Sequence, residues 1–235
     1  EKIMKNRSKR FKELEKITKL NKNNKLDSII TEIKKVSNAK FIESIDISFK
    51  YNLKKIKGSD TNLRTVVDLP NGNGRKIKVA VICDEGKLSD AKKSGAEMYG
   101  SEDLIKKISS GSINFDKLIC TPGMMSKIGK LGKILGPKGL MPNPKLGTVS
   151  DDIIKAVDKI KNSLSEVKSD KDGNVALSFG RKSFTEKKLM ENLSSIFQNL
   201  KKDKPNIFNS ENIKSIYISS TMSPSYKINF KDVQV

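Results

Sequence analysis

Pro70-Asn71-Gly72-Asn73-Gly74 is a run in which neither helix nor strand can persist, and the chain reads differently on its two sides. Before it, Ile45, Ile47, Phe49 and Tyr51 alternate with polar residues, the period of a strand with one buried face. A second extended segment spans Leu63 to Leu69. After it, Ile77 to Cys83 is almost continuously apolar, as a strand covered on both faces would be. Helical spacing follows over Ser89 to Met98 and Glu102 to Ile108, and Leu118 to Thr121 reads as a second buried strand. Strands alternating with helices imply a parallel α/β sheet with helices on both faces. A helix from Asp151 to about Asn162 closes the region, with Asp151 and Asp152 favourably placed at its positive end.

Further out, the half-buried pattern returns at both ends of the chain. Phe11, Leu14, Ile17 and Leu20 predict a basic, exposed amphipathic helix over Met4 to Leu20. Asp27 is placed to cap a second helix that turns Ile29, Ile30, Ile33 and Val36 to one side. Beyond Ser163, Val167 and then Val175, Leu177 and Phe179 flank Asp172-Gly173, which reads as a hairpin. A helix from Thr185 to about Leu200 follows. Strands over Ile213 to Ser219 and Tyr226 to Phe230 then flank the turn Met222-Ser223-Pro224-Ser225. The order suits one α+β domain assembled from residues 1–70 and 161–235, with an α/β unit, 71–160, inserted into it. The two crossings, at Gly72 and Gly74 and at Asn162, are the expected hinge.

Composition narrows the function. The 235 residues carry 47 Lys and Arg against 27 acids, a net charge of +20, and that self-repulsion calls for a polyanionic partner. No apolar run approaches the ~20 residues of a spanning helix, so no membrane partner is expected. Two cysteines, Cys83 and Cys120, exclude a disulfide scaffold and read as buried reduced thiols. The absence of histidine removes the commonest metal ligand and the commonest general base, so neither metal nor cofactor is expected.

Between Asp116 and Asp151 lie 34 residues with six lysines and no acid. Gly136-Pro-Lys-Gly-Leu-Met-Pro-Asn-Pro-Lys-Leu-Gly-Thr-Val149 falls within them. Three prolines and three glycines in fourteen residues predict a stiff loop that forms neither helix nor ladder. Its glycines would let a phosphate backbone come close, and Lys138 and Lys145 supply charge. The phosphate-loop spacing is absent, and Gly72-Asn-Gly74 precedes a strand instead of following one. Gly129-Lys-Leu-Gly132 and Gly136-Pro-Lys-Gly139 match the short glycine loop of a KH module, a weak pattern.

Gly136 to Val149 resembles the signature of the bacterial-type ribosomal large-subunit protein one family, and the resemblance extends over almost the whole chain. Lys40-Phe41-Ile-Glu43-Ser44, Ser59-Asp-Thr-Asn-Leu-Arg64, Gly180-Arg-Lys-Ser-Phe184 and Ser220-Thr-Met-Ser-Pro-Ser225 are similar to further family stretches. It implies two domains: a discontinuous split α+β domain and an inserted three-layer Rossmann-like α/β domain. It also implies a structural, non-enzymatic protein of the large-subunit mobile stalk, cytoplasmic on the ribosome and monomeric when free of RNA. The implied partners are a three-way region of large-subunit ribosomal RNA, exit-site tRNA whose release it assists, and its own operon mRNA, which it represses. Carried over by position, the RNA surface would be Lys40, Phe41, Glu43, Ser44, Lys182, Ser183, Thr221, Met222 and Ser223. Lys133, Lys138 and Lys145 would make secondary RNA or tRNA contacts.

In this surface a hydroxyl such as Thr221 can both donate to and accept from a ribose 2′-OH. Phe41 and Met222 offer apolar bodies to ribose or base. Glu43 is expected to meet a ribose hydroxyl or a guanine amino edge, or to orient Lys40. Ser223 and Thr65 stand where the family usually has Gly, which raises the question of backbone strain at both. Two other readings compete. One is an RNA-modifying or nucleotide-using enzyme built on the central α/β domain, with ligands near Cys83 and Cys120. The other is a KH-like binder that prefers unstructured RNA.

Overall fold

The computed structural model describes residues 8–20, 25–56, 63–162 and 164–230. Contacts divide the chain into two compact units, Glu1–Gly74 with Ser165–Val235, and Arg75–Leu164.

The first unit begins with α1 (Lys9–Leu20) and α2 (Leu26–Val36), followed by β1 (Ser44–Tyr51) and β2 (Arg64–Asp68). The expected helix over Met4 to Leu20 is described only from Lys9; the residues before Ser8 lie outside the described ones. Leu14 is its buried anchor, whereas Ile17 faces solvent. Lys25 occupies the N-cap of α2, so Asp27 sits one residue inside the first turn and caps nothing through its side chain. Its favourable interaction there is with the helix dipole. In β1 every second residue from Ile45 to Tyr51 is buried.

The second unit comprises β3 (Val79–Ile82), α3 (Leu88–Lys93), β4 (Met98–Gly100), α4 (Glu102–Ser109) and β5 (Lys117–Cys120). It continues through α5 (Met125–Gly129), α6 (Gly132–Leu135) and α7 (Ile153–Asn162). The strands form a parallel sheet in the order β4-β3-β5. Ala80, Ile82, Leu118 and Cys120 pack with α4 and α5. Val79, Val81, Cys83 and Ile119 pack with α3 and α7 on the other face, which is why β3 is buried at all four positions. Helix α3 is shorter than the expected 89–98 stretch. Gly95 turns left-handed at φ +70°, and Met98 then starts a strand that the helical spacing concealed. The proline- and glycine-rich loop also departs from expectation at its end. Pro144–Leu146 makes a 3-10 turn closed by Gly147 at φ +69°, and Val149 forms a parallel bridge with Cys120.

The chain returns to the first unit with β6 (Leu164–Lys168), β7 (Asn174–Arg181), α8 (Glu186–Asp203), β8 (Ile213–Ser220) and β9 (Tyr226–Ile228). The hairpin expected around Asp172-Gly173 is a corner between sheets instead: β6 pairs with β2, whereas β7 joins the sheet β7-β1-β8-β9. Locally the turn is still closed: Ser169 and Val175 form an antiparallel bridge, the Asp170 N–H donates to the Asn174 carbonyl (3.0 Å), and the Gly173 N–H donates to the Asp170 carbonyl (3.3 Å). Asp170 builds the corner, its Oδ1 accepting from the N–H groups of Asp172 (2.9 Å) and Asn174 (2.7 Å). The Asn174 side-chain amide, donating to Oδ2 (2.7 Å), together with those N–H bonds, holds the Asp170 carboxyl below its ordinary pKa. Thr185 caps α8 by accepting from the Lys188 N–H. Helices α2 and α8 bury their apolar stripes against one face of the four-stranded sheet, and among the described residues the other face, with Ala176 and Tyr217, is exposed.

Candidate nucleic-acid interface

Three chain segments meet at one end of the four-stranded sheet: the loop entering β1, the turn leaving β7 and the turn leaving β8. The register pairs Ser44 with Arg181 on one side and Ile45 with Ser220 on the other, so residues 40–44, 181–184 and 220–223 emerge together. The Lys182 N–H donates to the Glu43 carbonyl (2.9 Å), and the Thr221 N–H donates to the Ser44 carbonyl (3.1 Å).

Glu43 holds this end together and is fully buried. Its Oε1 accepts from the Ala39 N–H (3.0 Å), while Oε2 accepts from Ser220 Oγ (2.7 Å) and the Met222 N–H (3.0 Å). Burial alone would push its pKa up. The bonds from Ser220, Ala39 and Met222, with the Arg10 guanidinium nearby, outweigh that and hold it below the ordinary carboxylate value. Glu43 therefore does not face outward to a ribose or a guanine edge, nor does it orient Lys40. Its carboxylate is committed inside, fixing the loops that carry the exposed groups.

Around this buried anchor stand exposed apolar side chains, Phe41 at 52%, Ile42 at 58% and Met222 at 50%. Large hydrophobics left in water at a polar rim mark a binding face. Lys40 and Ser183 are exposed beside them. Lys182 is drawn in: its Nζ donates to the Ser37 carbonyl, so it clasps the loop before β1. Thr221 Oγ1 accepts from the Ser44 N–H at 3.1 Å, donates to the Ser44 carbonyl at 3.4 Å, and keeps a lone pair toward solvent. No described non-glycine residue has a positive φ, so neither Ser223 nor Thr65 is strained where the family usually has Gly. Ser223 Oγ accepts from the Ser220 N–H (3.0 Å) and donates to the Pro224 carbonyl (3.1 Å), and Thr65 donates to Asp203.

Several participants were not singled out from the sequence. Arg10 on α1 donates from Nε to Asn38 Oδ1 (2.8 Å) and from Nη1 to the Met222 carbonyl (3.2 Å), fastening the first helix to the same loops. Lys34 Nζ donates to the Phe184 carbonyl (2.7 Å). Ile42 and Ser220 complete the list.

Lys133, Lys138 and Lys145 belong to the second unit; all three are exposed and have no ion pair among the described residues. Gly72 and Gly74 are left-handed at φ +63° and +72°, and a Cβ on Gly74 would meet Phe184 and Arg181. Asn162 is the last residue of α7. Cys83 and Cys120 are free and buried, and burial pushes the Cys120 thiol up to about 11, which disfavours a reactive thiolate. Among the described residues, no helix is long and apolar enough to cross a membrane.

Residues 33–224 match the model of the Ribosomal protein L1p/L10e family. The chain is 50% identical over 222 residues to large ribosomal subunit protein uL1 of Pelagibacter ubique, covering 94% of this chain and 96% of that protein. It is 40% identical over 225 residues to large ribosomal subunit protein uL1c of Trieres chinensis, covering 96% and 97%. Against large ribosomal subunit protein uL1 of Prochlorococcus marinus strain MIT 9312 it is 44% identical over 202 residues, covering 86% of each.

Proposed function

Since the chain belongs to the Ribosomal protein L1p/L10e family, we propose that it binds a folded junction of large-subunit ribosomal RNA through the strand-end loops of its first unit. The observation that carries this reading is the buried Glu43 carboxylate. It ties loops 39–44 and 220–222 into one preorganised surface whose outward side chains are Lys40, Phe41, Ile42, Thr221 and Met222. Such a surface recognises shape, ribose hydroxyls and exposed base faces, with lysines adding a diffuse field. The family is structural and not enzymatic, so the competing reading as a nucleotide-using enzyme loses its support.

In this proposal the two contact-defined units are a discontinuous RNA-binding domain and an inserted three-layer Rossmann-like domain, hinged at Gly72, Gly74 and Asn162. Lys133, Lys138 and Lys145 of the inserted domain make secondary contacts with RNA or with exit-site tRNA. The protein works on the mobile stalk of the cytoplasmic ribosome, assists release of that tRNA, and represses its own operon by binding a similar fold in the mRNA. Footprinting on large-subunit RNA tests the primary contact. Protection should be confined to one junction, with affinity well above that for heparin. Equal affinity for heparin and the junction would reduce the interface to nonspecific charge.

A further inference from the structure

The open face of the four-stranded sheet carries a hollow remote from the strand-end loops. Across the sheet, Ser48 of β1 lies opposite Ala176 of β7 and Tyr217 of β8, while Lys50 lies opposite Asn174 and Ser215. Side chains two residues apart on a strand share a face, so these two rows form one surface. Small residues at 48, 176 and 215 leave a cleft of about 650 Å³, walled by the Tyr217 ring and rimmed by Lys50 and Lys168. Lys227 of β9 lies opposite Tyr217.

The polar groups are left without hydrogen bonds of their own, although the Lys50 charge acts on Asp170. Ser48, Ser215, Tyr217, Lys50, Lys168 and Lys227 have no side-chain hydrogen bond or ion pair among the described residues. The carboxylate lining the cleft, Asp170, is already engaged by the Asp172 and Asn174 N–H groups and the Asn174 amide. The local balance is therefore three ammonium groups against the one ionised Asp170 carboxylate, on which Lys50 also acts, around one exposed aromatic ring and two free hydroxyls. The row Ser178–Asp46–Ser219 lies between this hollow and the strand-end loops.

We infer that the hollow is a second RNA site, which takes one unstacked nucleotide of single-stranded RNA. Its base lies on Tyr217, its ribose meets the hydroxyls of Ser48 and Ser215, and its phosphate meets Lys50 and Lys168. The chemistry fits each part. Aromatic rings on sheet faces stack bases regardless of sequence, serine hydroxyls read a 2′-OH, and lysines neutralise phosphate. Clefts of ~300–1,000 Å³ hold ligands of this size. The choice of RNA as occupant rests on the proposed ribosomal role and on the complementary charge. The site itself is distinct from the strand-end surface.

The test uses the full chain with fluorescein-labelled hexauridylate, a junction fragment of large-subunit RNA, and heparin. Tyr217→Ser should weaken hexauridylate about fivefold or more, and Tyr217→Phe, which keeps the ring, should stay within about twofold. Junction affinity should be unchanged in both variants, and Tyr217 is exposed enough for both to fold. Thr221→Val should do the reverse. Hexauridylate binding that survives Tyr217→Ser overturns the hollow, as does an equal loss for heparin. A wild-type chain that binds the junction but not hexauridylate also removes the hollow while leaving the proposed function standing; binding neither removes both.

Discussion

Glu43 Oε2 accepts a 2.7 Å hydrogen bond from Ser220 Oγ across 177 residues of sequence, with both side chains out of reach of solvent. The bond links the entrance of β1 to the exit of β8. A buried carboxylate is tolerable only when its oxygens are satisfied, and here three donors meet it. Its position follows from strand phase. Glu43 is in step with the buried Ile45, Ile47, Phe49 and Tyr51, and Ser220 is in step with Ile216 and Ile218. The interface is thus an extension of the core that ends in a polar clasp.

Glu43→Gln should loosen that clasp. The amide can still accept from one side, but its NH2 group must face a backbone N–H, that of Ala39 or of Met222, and leaves it unsatisfied. A cost of about 1–3 kcal/mol in urea unfolding is expected, with weaker junction binding. The pH dependence has a definite sign. The folded pKa of Glu43 lies below its ordinary value of 4.5, so its contribution is complete above that value and is lost as pH falls through the depressed one. Wild type should therefore lose more stability than Glu43→Gln between about pH 5 and pH 3. Parallel pH profiles of the urea midpoint would contradict this.

The sequence made much of this fold legible wherever apolar spacing had a single period. The alternation in β1, the stripe of α8 and the continuous apolar run of β3 all correspond to what is seen. It misled where two signals overlapped. Met98 completed a helical spacing, yet Gly95 had already ended α3, and β4 is too short to show a period of its own. Asp172-Gly173 looked like a hairpin because local turn chemistry does not say which sheet each arm enters. At the candidate interface, Phe41 and Met222 were picked by resemblance, and the structure leaves both exposed. Glu43 was read as facing outward although the phase of β1 points it inward, and Arg10 carried no local signal because its partners, Asn38 and Met222, are distant in sequence.

Ser223→Gly would bring the chain nearer to its family's usual residue, yet it should destabilise this protein. Ser223 has no positive φ to relieve, and its hydroxyl satisfies the Ser220 N–H at 3.0 Å. Losing that bond and adding glycine's unfolded-state freedom should together cost about 1–2 kcal/mol in chemical denaturation. An unchanged or higher midpoint would show that the Ser223 hydroxyl is replaceable by water.

Gly173→Ala tests the corner between the two sheets. Gly173 is left-handed at φ +77°, and an added Cβ would lie 2.9 Å from the Tyr51 carbonyl oxygen, which is backbone and cannot swing aside. The left-handed conformation alone costs alanine ~1–2 kcal/mol, and the clash adds to it. A fall of several degrees in the thermal midpoint is expected. Gly86→Ala, where a Cβ meets open space and φ is not left-handed, should leave the midpoint nearly unchanged.

Thr221 separates recognition by hydroxyl from recognition by charge. Its Oγ1 accepts from the Ser44 N–H at 3.1 Å on an exposed edge, so removing it in Thr221→Val leaves a donor that water can reach. The fold should therefore lose little. In the proposed complex with RNA the same edge would be covered, and a hydroxyl that reads a ribose would have no substitute. Thr221→Val should weaken junction binding by about 1–3 kcal/mol, whereas Thr221→Ser should restore most of it. Because no charge changes, the slope of log affinity against log salt should be the same in all three proteins. Lys40→Gln should instead lower that slope by roughly one phosphate contact, ~0.7–0.9. If Thr221→Val alters the slope and leaves the affinity at low salt intact, the hydroxyl is not reading RNA and Thr221 serves only to join β1 to β8.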